Sequence, residues 1–446
     1  MIELVTIGTE LLLGTTVDTN GAWLGSRLAA AGLRVARRAT VPDDAAAIRE
    51  TVLAALQRSG TVICTGGLGP TADDLTRPVV AAVYGRELVL DEGWLEHMRD
   101  RFRARGLDMP AINRVQAMLP AGARLLPNSR GTAPGILIED ATLGATILLP
   151  GVPSEMRALM DEHVVPWLVE RAGNPPPIVS RTLRTSGVAE STLQERLADL
   201  LGRGDAGSAV PGAAATVEAG PTLLRGLPLD LAFLPTGVGI DLRLTCWGEL
   251  ESSAATRALD DGEQVLREHI GQWVYGVDGD DLAAVLGRSL RHRGLTLAVA
   301  ESCTGGLVGK RVTDIEGASA YFRGGFVTYA DGLKQEWLGV RAATLVRDGA
   351  VSEAAALEMA TGAARAAGAD CAIAVTGIAG PGGGSEEKPV GTVWIGVAHG
   401  TRVFARLHRF SGTREEIRTR AAQAAMLMLF RELERTDEGR GPHATR

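Results

Sequence analysis

The chain has 446 residues, more than a single hydrophobic core normally supports, so two or three domains are expected. Hydrophobic residues make up 45% and charged residues 22%, which is typical of a globular protein and argues against a disordered or membrane-embedded one. The 53 acidic residues outnumber the 46 basic ones and give a formal charge of −7. Because phosphate neutralisation needs clustered cations, direct nucleic-acid binding is not expected.

Neither export nor a membrane anchor is predicted. The first residues, MIELVTIGTELLLG, lack a basic leader and a cleavage site, and no apolar run approaches the ~20 residues of a spanning helix. The four cysteines lie far apart and form no CxxC pair, so neither a zinc site nor a disulfide framework is indicated. We therefore expect a cytoplasmic protein under reducing conditions.

Residues 1–170 alternate strand-like and helix-like segments. The strand-like runs IELVTIG, RVARRATV and TVICTGG are separated by the amphipathic stretches DTNGAWLGSRLAAAG and DDAAAIRETVLAALQRSG. This alternation predicts βαβ units and a three-layer α/β domain with a mostly parallel sheet. Ligands of open sheets bind at the carboxyl ends of the strands, so GTELLLG and TGGLGPTADD are expected on one rim.

The segment GGLGPTADD follows a strand and contains Gly67-x-Gly69-x-x-Ala72, part of a dinucleotide-binding pattern. Asp73 and Asp74 stand where a helix N-terminus would receive a pyrophosphate, and two anions there would repel it. A hard divalent cation such as Mg²⁺, bound by these carboxylates and water, would resolve the conflict by bridging protein and diphosphate. Helix capping by the two aspartates is the structural alternative.

A proline-rich stretch, AGNPPPI, breaks the pattern at about residues 172–178 and predicts a linker. Residues 178–276 then predict a small α+β module. Its helices are expected in SGVAESTLQERLADLL and ESSAATRALDDGEQVLREHI, its strands in LAFLP and GIDLRLTCW, and a loop of small residues in GRGDAGSAVPGAAATVEAGPTLLRG. No grouping in the module suggests catalysis, so we interpret it as a spacer or docking unit.

The alternation resumes over residues 280–435 and predicts a second three-layer α/β domain with a mostly parallel sheet. Its segments include the helix DDLAAVLGRSLRHRG, the strands LTLAVA, FVTYA, DCAIAVTG and TVWIGVA, the helix SEAAALEMATGAARAAGA and a long helix from about residue 414 to 433. Residues 436–446 have too little apolar content to pack and are predicted to form a flexible tail.

The stretch AVAESCTGGLVGK, residues 298–310, joins a strand to a helix. It fails as a phosphate loop, because Thr304 replaces the first glycine of that motif and Arg311 replaces its Ser/Thr. As a nucleophile site it places Ser302 after a strand, where helix N-terminal amides can stabilise a developing negative charge. Cys303 fits a small buried residue better than a nucleophile.

A serine nucleophile needs a base. His399 and His408 fall in or beside ordinary strand segments, which disfavours a Ser–His–Asp triad. Lys334, in FVTYADGLKQEW, is the remaining candidate, provided that burial or a nearby cation leaves its amine neutral. A solvated surface charge is the alternative for this lysine.

Several C-terminal segments carry a family resemblance: AESCTGG, FRGGFVTYADGLK, GAVSEAAALEMA, AVTGIAGPGGGSEEKPVGTVWIG and FSGTREEIR. Together they resemble the CinA-type amidohydrolase domain over about residues 280–433. The resemblance implies deamidation of nicotinamide mononucleotide by a Ser–Lys dyad that needs no cofactor. Ser302 would attack the carboxamide carbon, and Lys334 would take the serine proton and pass one to departing ammonia.

The same resemblance implies substrate contacts. Candidate oxyanion donors are backbone amides near Thr304 and Gly305, beside Cys303. The candidates for the phosphate and the base pocket are Thr376, Gly377, Gly380, Arg418 and Tyr329, for which turn glycines, a surface arginine and a core tyrosine are the structural alternatives.

The chain departs from the family pattern at two places. Between the tyrosine and the lysine, a Ser-Asn-Glu-like run is replaced by Ala330, Asp331, Gly332 and Leu333. Gly382 stands where an aspartate is common. Both departures are expected to lower activity or to change how the substrate is positioned.

Five N-terminal segments, GTELLLGTTVDTN, TGGLGPTADDLTRP, NRVQAMLPAGA, NSRGTAPG and LPGVPSEM, resemble the other half of the same family, a domain related to molybdopterin-binding folds. The match covers about residues 1–165 and implies metal-dependent cleavage of ADP-ribose to AMP and ribose 5-phosphate. Asp74 and Asp73 are the implied metal-linked residues. The further candidate contacts are Glu10, Asp18, Asn20, Gly67, Gly69, Asn128 and Gly131.

The favoured hypothesis is a bifunctional pyridine-nucleotide recycling enzyme that acts on nicotinamide mononucleotide and ADP-ribose, as a homo-oligomer such as a dimer. Both substrates are products of NAD breakdown, which gives the fusion a rationale. One alternative is a molybdopterin-binding or cofactor-assembly protein. Another, suggested by the family's name as competence/damage-inducible protein, is a non-catalytic partner of DNA uptake or repair, which the acidic charge does not favour.

Overall fold

A computed structural model describes residues 1–202, 223–224 and 226–438. The chain forms two compact units, residues 1–179 with 246–257, and residues 180–245 with the residues from 258 onward. Most of the predicted small-residue loop, at residues 203–222, and residues 439–446 of the predicted tail lie outside the described residues. Within the described chain, no helix combines the length and the apolar character needed to cross a bilayer.

The N-terminal domain alternates strands and helices as predicted. Its elements are β1 (Ile2–Ile7), α1 (Thr9–Leu12), α2 (Thr19–Ala30), β2 (Val35–Val41), α3 (Ala45–Ser59), β3 (Thr61–Thr65), α4 (Thr76–Val83), β4 (Leu88–Leu90), α5 (Glu92–Arg103), β5 (Met118–Pro120), β6 (Arg124–Leu126), β7 (Gly135–Asp140), β8 (Gly144–Leu149), α6 (Pro153–Leu159) and α7 (Val165–Arg171).

The main sheet of this domain has the order β2-β1-β3-β8-β7-β6, with parallel pairing from β2 to β8 and antiparallel pairing at β7 and β6. β1 and β3 are buried at every position, as expected for parallel strands covered on both faces. Leu4 and Ile63 pack with α2, α6 and α7, whereas Val5 and Val62 pack with α3 and α4. The three-layer arrangement is thereby confirmed.

The predicted rim is also present, because the segments after β1 and β3 pack against each other. Gly66 has a φ of 108°, and a Cβ atom there would lie 2.1 Å from the carbonyl oxygen of Ile7. Only glycine permits this approach without a shift of the backbone.

The middle module is α+β, as predicted. Its elements are β9 (Val179–Thr185), α8 (Glu190–Leu197), β10 (Leu201–Gly202), β11 (Leu223–Leu224), β12 (Asp230–Pro235), β13 (Ile240–Cys246), α9 (Ser252–Ile270) and β14 (Val274–Val277). The strands form one sheet in the order β10-β11-β12-β13-β9-β14.

The C-terminal domain contains α10 (Leu282–Arg293), β15 (Leu297–Glu301), α11 (Leu307–Thr313), β16 (Phe322–Val327), α12 (Asp331–Leu338), α13 (Ala342–Asp348), α14 (Glu353–Ala367), β17 (Cys371–Gly377), β18 (Thr392–His399), β19 (Arg402–Arg409) and α15 (Arg414–Glu438). Helix α15 extends beyond the predicted end at residue 433, so residues 436–438, expected in the tail, are helical.

The C-terminal sheet has the order β16-β15-β17-β18-β19, with β15 parallel to both of its neighbours and the last two pairings antiparallel. One face, represented by Val299 and Ile373, packs with α10 and α15. The other face is built of alanines and packs with α14. The helix approaches so closely that a Cβ atom on Gly396 of β18 would lie 2.4 Å from the carbonyl oxygen of Ala356.

Candidate active sites

Ser302 lies at the carboxyl edge of the C-terminal sheet. It directly follows β15, and its N–H donates to the carbonyl of Val375 on β17 at 2.9 Å. On the other side, the N–H of Thr328, just after β16, donates to the carbonyl of Glu301 at 2.8 Å. The segments after β15, β16 and β17 therefore meet at one place, as the parallel pairing requires.

Lys334 is brought to the same edge. Its side chain is 1% exposed, so the alternative of a solvated surface lysine is wrong. The Nζ atom donates to the carbonyl of Tyr329 at 3.2 Å and to Oδ1 of Asp331 at 3.0 Å. In the part of the chain that the structure describes, the Ser302 hydroxyl is not among its hydrogen-bond partners. The lysine thus follows β16, the strand that pairs with the serine's strand β15, and its amine contacts Asp331.

The amides at the start of α11 do not face a ligand. The carboxylate of Glu301 is buried and accepts hydrogen bonds from the N–H groups of Gly306, Val308 and Gly309 at 2.9, 3.1 and 2.8 Å. The prediction that the N-terminal amides of this helix stabilise a developing negative charge is therefore wrong, because a negative charge already occupies them.

The oxyanion candidates change accordingly. The N–H of Gly305 donates to the carbonyl of Ser302 at 3.1 Å, which closes the turn and engages this donor. Among the described residues, the amides of Cys303 and Thr304 have no oxygen acceptor, and the buried Thr304 hydroxyl has no partner. Burial raises the pKa of the Cys303 thiol to about 11, which fits its interpretation as a small buried residue.

Two arginines of α15 reach this edge. Arg418, a predicted contact, donates to the carbonyl of Thr304 at 2.7 Å. Arg414, which the sequence analysis missed, donates to the carbonyl of Gly380 at 2.6 Å and to the Tyr329 hydroxyl at 3.2 Å. The sequence could have indicated Arg414, because residues four apart share a helix face and both arginines lie in FSGTREEIR.

The other predicted contact residues of the C-terminal domain differ in how far their side chains are accessible to a ligand. Tyr329 is 60% exposed, so the alternative of a core tyrosine is wrong. Thr376 is buried and its hydroxyl donates to the carbonyl of Ala350 at 2.7 Å. Gly377 packs against β18, where a Cβ atom would lie 2.6 Å from a methyl group of Val393. These last two residues therefore shape the sheet edge and offer no free side-chain group.

In the N-terminal domain, Asp74 closes the glycine-rich loop. Its Oδ1 accepts from the N–H of Gly69 at 2.7 Å, and its Oδ2 accepts from the N–H of Thr71 at 2.8 Å. A hydrogen bond from Thr71 lowers the pKa of the exposed Asp73 carboxyl. The residue before α4 is Leu75 and gives no side-chain cap, so the helix-capping alternative for the two aspartates is wrong.

The same loop leads into Arg77, which the sequence analysis also missed. Arg77 is 3% exposed, and its Nη1 atom is buried without a partner among the described residues. Burial lowers the pKa of this guanidinium to about 10, against the opposing effect of the Asp74 charge. A buried cation without a directly bonded anion is costly, so this position favours an anionic ligand.

Glu10, Asp18 and Asn20 are brought together, as predicted, around one cavity of ≈ 150 Å³. Asp18 caps α2 through the N–H of Gly21 at 2.8 Å and pairs with Arg38 at 2.9 Å. Asn20 donates through Nδ2 to the carbonyl of Gly151 at 2.7 Å, while its Oδ1 is buried without a partner among the described residues. The volume suits one sugar or phosphate group of a nucleotide.

Asn128 and Gly131 form a closed turn. Asn128 accepts from the N–H groups of Arg130 and Gly131 at 2.9 Å each, and donates to the carbonyl of Ala133 and to Glu155 at 2.7 Å each. A Cβ atom on Gly131 would lie 1.9 Å from the Glu155 carboxylate. The Asn128 side chain therefore has no free donor or acceptor for a ligand.

The described residues contain no group of three or more His, Cys, Asp or Glu side chains placed to hold a metal ion. Asp73 and Asp74 can supply one or two carboxylates, which is how Mg²⁺ is often held when water and substrate phosphates complete its shell. The aspartate pair thus fits a metal that binds together with a diphosphate.

Two known domain families match the chain, the CinA C-terminal domain over residues 279–433 and a probable molybdopterin binding domain over residues 3–170. A CinA-like protein of Gemmatimonas aurantiaca is 46% identical over 432 residues, which cover 96% of each chain. The chain belongs to the CinA family. The two-domain resemblance and the α/β fold expected for it are thus confirmed.

Further CinA proteins show the same similarity. A CinA-like protein of Geobacter metallireducens is 42% identical over 96% of this chain and 98% of its own. A solved CinA superfamily structure from Klebsiella pneumoniae is 40% identical over 34% of this chain and 96% of its own, with a TM-score of 0.34. The competence/damage inducible protein CihA of Agrobacterium tumefaciens is 43% identical over 35% and 97%, with a TM-score of 0.33.

Proposed function

We propose that this CinA protein is a bifunctional nucleotide hydrolase. The C-terminal domain would convert nicotinamide mononucleotide to nicotinate mononucleotide and ammonia, and the N-terminal domain would cleave ADP-ribose to AMP and ribose 5-phosphate. The observation that carries the proposal is the buried lysine, Lys334, at the sheet edge where Ser302 follows its strand. A buried amine beside a strand-end serine is the arrangement that a Ser–Lys hydrolase needs.

In the C-terminal reaction, Ser302 Oγ forms a bond to the carboxamide carbon while Lys334 takes the hydroxyl proton. The oxyanion accepts hydrogen bonds from the backbone amides of Cys303 and Thr304, which donate to no oxygen among the described residues. The carbon–nitrogen bond then breaks as Lys334 returns a proton to the leaving ammonia, and water hydrolyses the acyl-serine. Lys334 Nζ, which lies 3.0 Å from Asp331 Oδ1, has to leave this carboxylate to reach the serine hydroxyl.

The substrate's phosphate would be bound by Arg414 and Arg418. Among the described residues, both arginines donate only to neutral acceptors, carbonyl oxygens and a tyrosine hydroxyl, so no carboxylate neutralises them. Two such guanidinium groups can balance a phosphate dianion. Tyr329, exposed and held through its hydroxyl by Arg414, offers its ring to the nicotinamide base.

In the N-terminal reaction, Arg77 would compensate the charge of the diphosphate. The cavity beside Glu10, Asp18 and Asn20 would hold a sugar through its hydroxyl groups. A divalent metal bound through Asp73 and Asp74 would, when present, polarise the phosphorus–oxygen bonds as a Lewis acid. The acidic side chains that line the cavity suit ribose hydroxyls better than a phosphate, so the diphosphate would lie outside it, towards Arg77.

The decisive experiment incubates the full chain with each nucleotide separately, with and without EDTA. Ammonia should be released from nicotinamide mononucleotide in both conditions, and AMP from ADP-ribose only without the chelator. Absence of both products at enzyme-like rates would refute the proposal. Size-exclusion chromatography with light scattering would test the expected dimer.

A second candidate function is pterin binding, because residues 3–170 match a probable molybdopterin binding domain. It predicts that the N-terminal domain retains a pterin and releases no AMP from ADP-ribose. Tight pterin binding without ADP-ribose turnover would favour it, whereas turnover without pterin binding would exclude it as the main role. The third hypothesis, a non-catalytic role in competence or DNA repair, stays a prediction.

A further inference from the structure

A well-formed cavity of the second unit is lined by none of the residues of the C-terminal candidate site. It has a volume of ≈ 590 Å³ and is bounded by the β12–β13 hairpin and the residues around Ser186 on one side, and by β19 and α15 on the other. Neither Ser302 nor Lys334 lines it. Its size falls within the range of small-molecule sites, which is roughly 300–1,000 Å³.

The charged side chains in the lining of the cavity are mostly basic. Five arginines and one acidic residue, Glu432, belong to its lining. Arg402 and Arg435 pair with Glu432 at 3.4 and 2.8 Å. Two more of the arginines pair with carboxylates of α15. Within the described chain, the Arg406 side chain has neither an ion pair nor a hydrogen bond. An unpaired guanidinium on a concave surface favours an anionic occupant.

Two buried polar atoms in the wall also lack partners among the described residues. Gln423 is 2% exposed, and its Oε1 accepts from Arg311 at 2.8 Å, but its Nε2 donates to nothing. The Nε2 atom of His408 is likewise unsatisfied. Burial and the neighbouring Arg406 lower the pKa of His408, which favours its neutral ring. Buried polar groups normally have partners, so these atoms point to a ligand that supplies them.

The wall further offers aromatic rings. His408 stacks on Phe410 with centroids 5.4 Å apart and an interplanar angle of 7°, and Phe404 and Trp273 also line the cavity. We propose that this cavity binds a mononucleotide, with its phosphate at Arg406 and its base against the aromatic wall, where Gln423 donates to it. The site lies outside the two candidate active sites and does not depend on the proposed function.

Strand β19 supplies a matched pair of variants. Arg406 lines the cavity, whereas Arg409, three residues later, is on the opposite face of the strand and does not. Both arginines are exposed and neither has an ion pair within the described residues. Arg406→Ala and Arg409→Ala therefore remove the same charge from the same strand, one inside the cavity and one outside it. Gln423→Glu keeps the oxygen that binds Arg311 but replaces the free donor with a negative charge.

The test is isothermal titration of the full chain with AMP, inorganic phosphate and adenosine. The titrations are made in the Arg77→Met background, so that AMP bound at the N-terminal loop contributes little. We expect Arg406→Ala and Gln423→Glu each to weaken AMP binding about tenfold, ~1.4 kcal/mol, and Arg409→Ala to leave it unchanged. Phosphate and adenosine should each bind at least about tenfold more weakly than AMP, because each supplies only half of the contacts.

Three results would overturn the assignment. The first is identical AMP binding by the Arg406→Ala and Arg409→Ala proteins. The second is phosphate binding as tight as that of AMP and sensitive to Arg406, which would show a simple anion site. The third is adenosine binding as tight as that of AMP, which would show that the arginines are not involved.

Discussion

The two candidate sites differ in how their charged side chains are neutralised. In the C-terminal site, Lys334 pairs with Asp331, and the Glu301 carboxylate is saturated by three backbone amides. In the N-terminal site, Arg77 is buried, its Nη1 atom has no partner among the described residues, and Asp73 is exposed in the preceding loop. The lysine and the glutamate of the first site are thus held by direct contacts, whereas the Arg77 guanidinium of the second has no directly bonded anion within the described chain.

The two sites therefore need different components from outside the protein. The C-terminal groups include a nucleophile, an amine and free amides, which together suffice for amide hydrolysis. The N-terminal loop has unbalanced charges of both signs, and a diphosphate with a divalent metal would balance them. Chelation should therefore separate the two activities, and variants in one site should leave the other unaffected.

The largest effect is expected from Ser302→Ala, which removes the proposed nucleophile. Ammonia release from nicotinamide mononucleotide should fall on the order of 10³-fold or more, while AMP release from ADP-ribose stays unchanged. Ser411→Ala, at an exposed serine of the same domain, serves as the control. Undiminished ammonia release by a folded Ser302→Ala protein would remove Ser302 from the mechanism.

Arg77→Met should lower AMP release on the order of 10²-fold, because a guanidinium facing a diphosphate makes charge-assisted hydrogen bonds. Thermal stability should stay equal or rise, since an unpaired buried charge is replaced by an apolar side chain of similar length. Arg49→Met, at an exposed position of α3, is the matched control. A parallel loss of stability and activity would instead show that Arg77 is structural.

Much of the fold followed from hydrophobic periodicity, because strands such as β1 and β3 are mostly apolar and the intervening segments are amphipathic. The sequence could have indicated the burial of Lys334, since this residue lies four positions before Leu338 on the inward face of α12. Nothing in the sequence indicated the burial of Arg77, because arginine is normally exposed and only the tertiary structure shows that this one is buried. The role of Glu301 was missed because its partners are backbone amides, which a side-chain pattern does not display.

Glu301→Gln should destabilise the C-terminal domain by about 1–3 kcal/mol. The neutral amide keeps one oxygen but turns an NH₂ group towards amides that are themselves donors, so at least one of three hydrogen bonds is lost. Urea unfolding of the full chain measures the change, with Glu316→Gln, at an exposed residue after the same helix, as the control. Equal stability of the two variants would show that the cap on α11 is dispensable.

The smallest effect is expected from Asp331→Asn, which tests whether the ion pair between Asp331 and Lys334 restrains the lysine. The amide can still accept a hydrogen bond from Lys334, but it no longer stabilises the ammonium by charge. Because Asp331 is 58% exposed, water screens its ion pair with Lys334. Loss of the pair should change the free energy of unfolding by no more than about 1 kcal/mol.

Under the proposed mechanism, releasing the lysine from this ion pair frees its amine to reach the Ser302 hydroxyl. The turnover number for nicotinamide mononucleotide should therefore rise by up to about fivefold. The KM should stay unchanged, because Asp331 contacts the catalytic base Lys334 and not the proposed phosphate-binding arginines. Asp348→Asn, which neutralises a carboxylate paired with Arg347 elsewhere in the domain, gives the comparison. A fall in turnover with Asp331→Asn would mean that the carboxylate positions Lys334 for the reaction, and that the ion pair is part of the active arrangement.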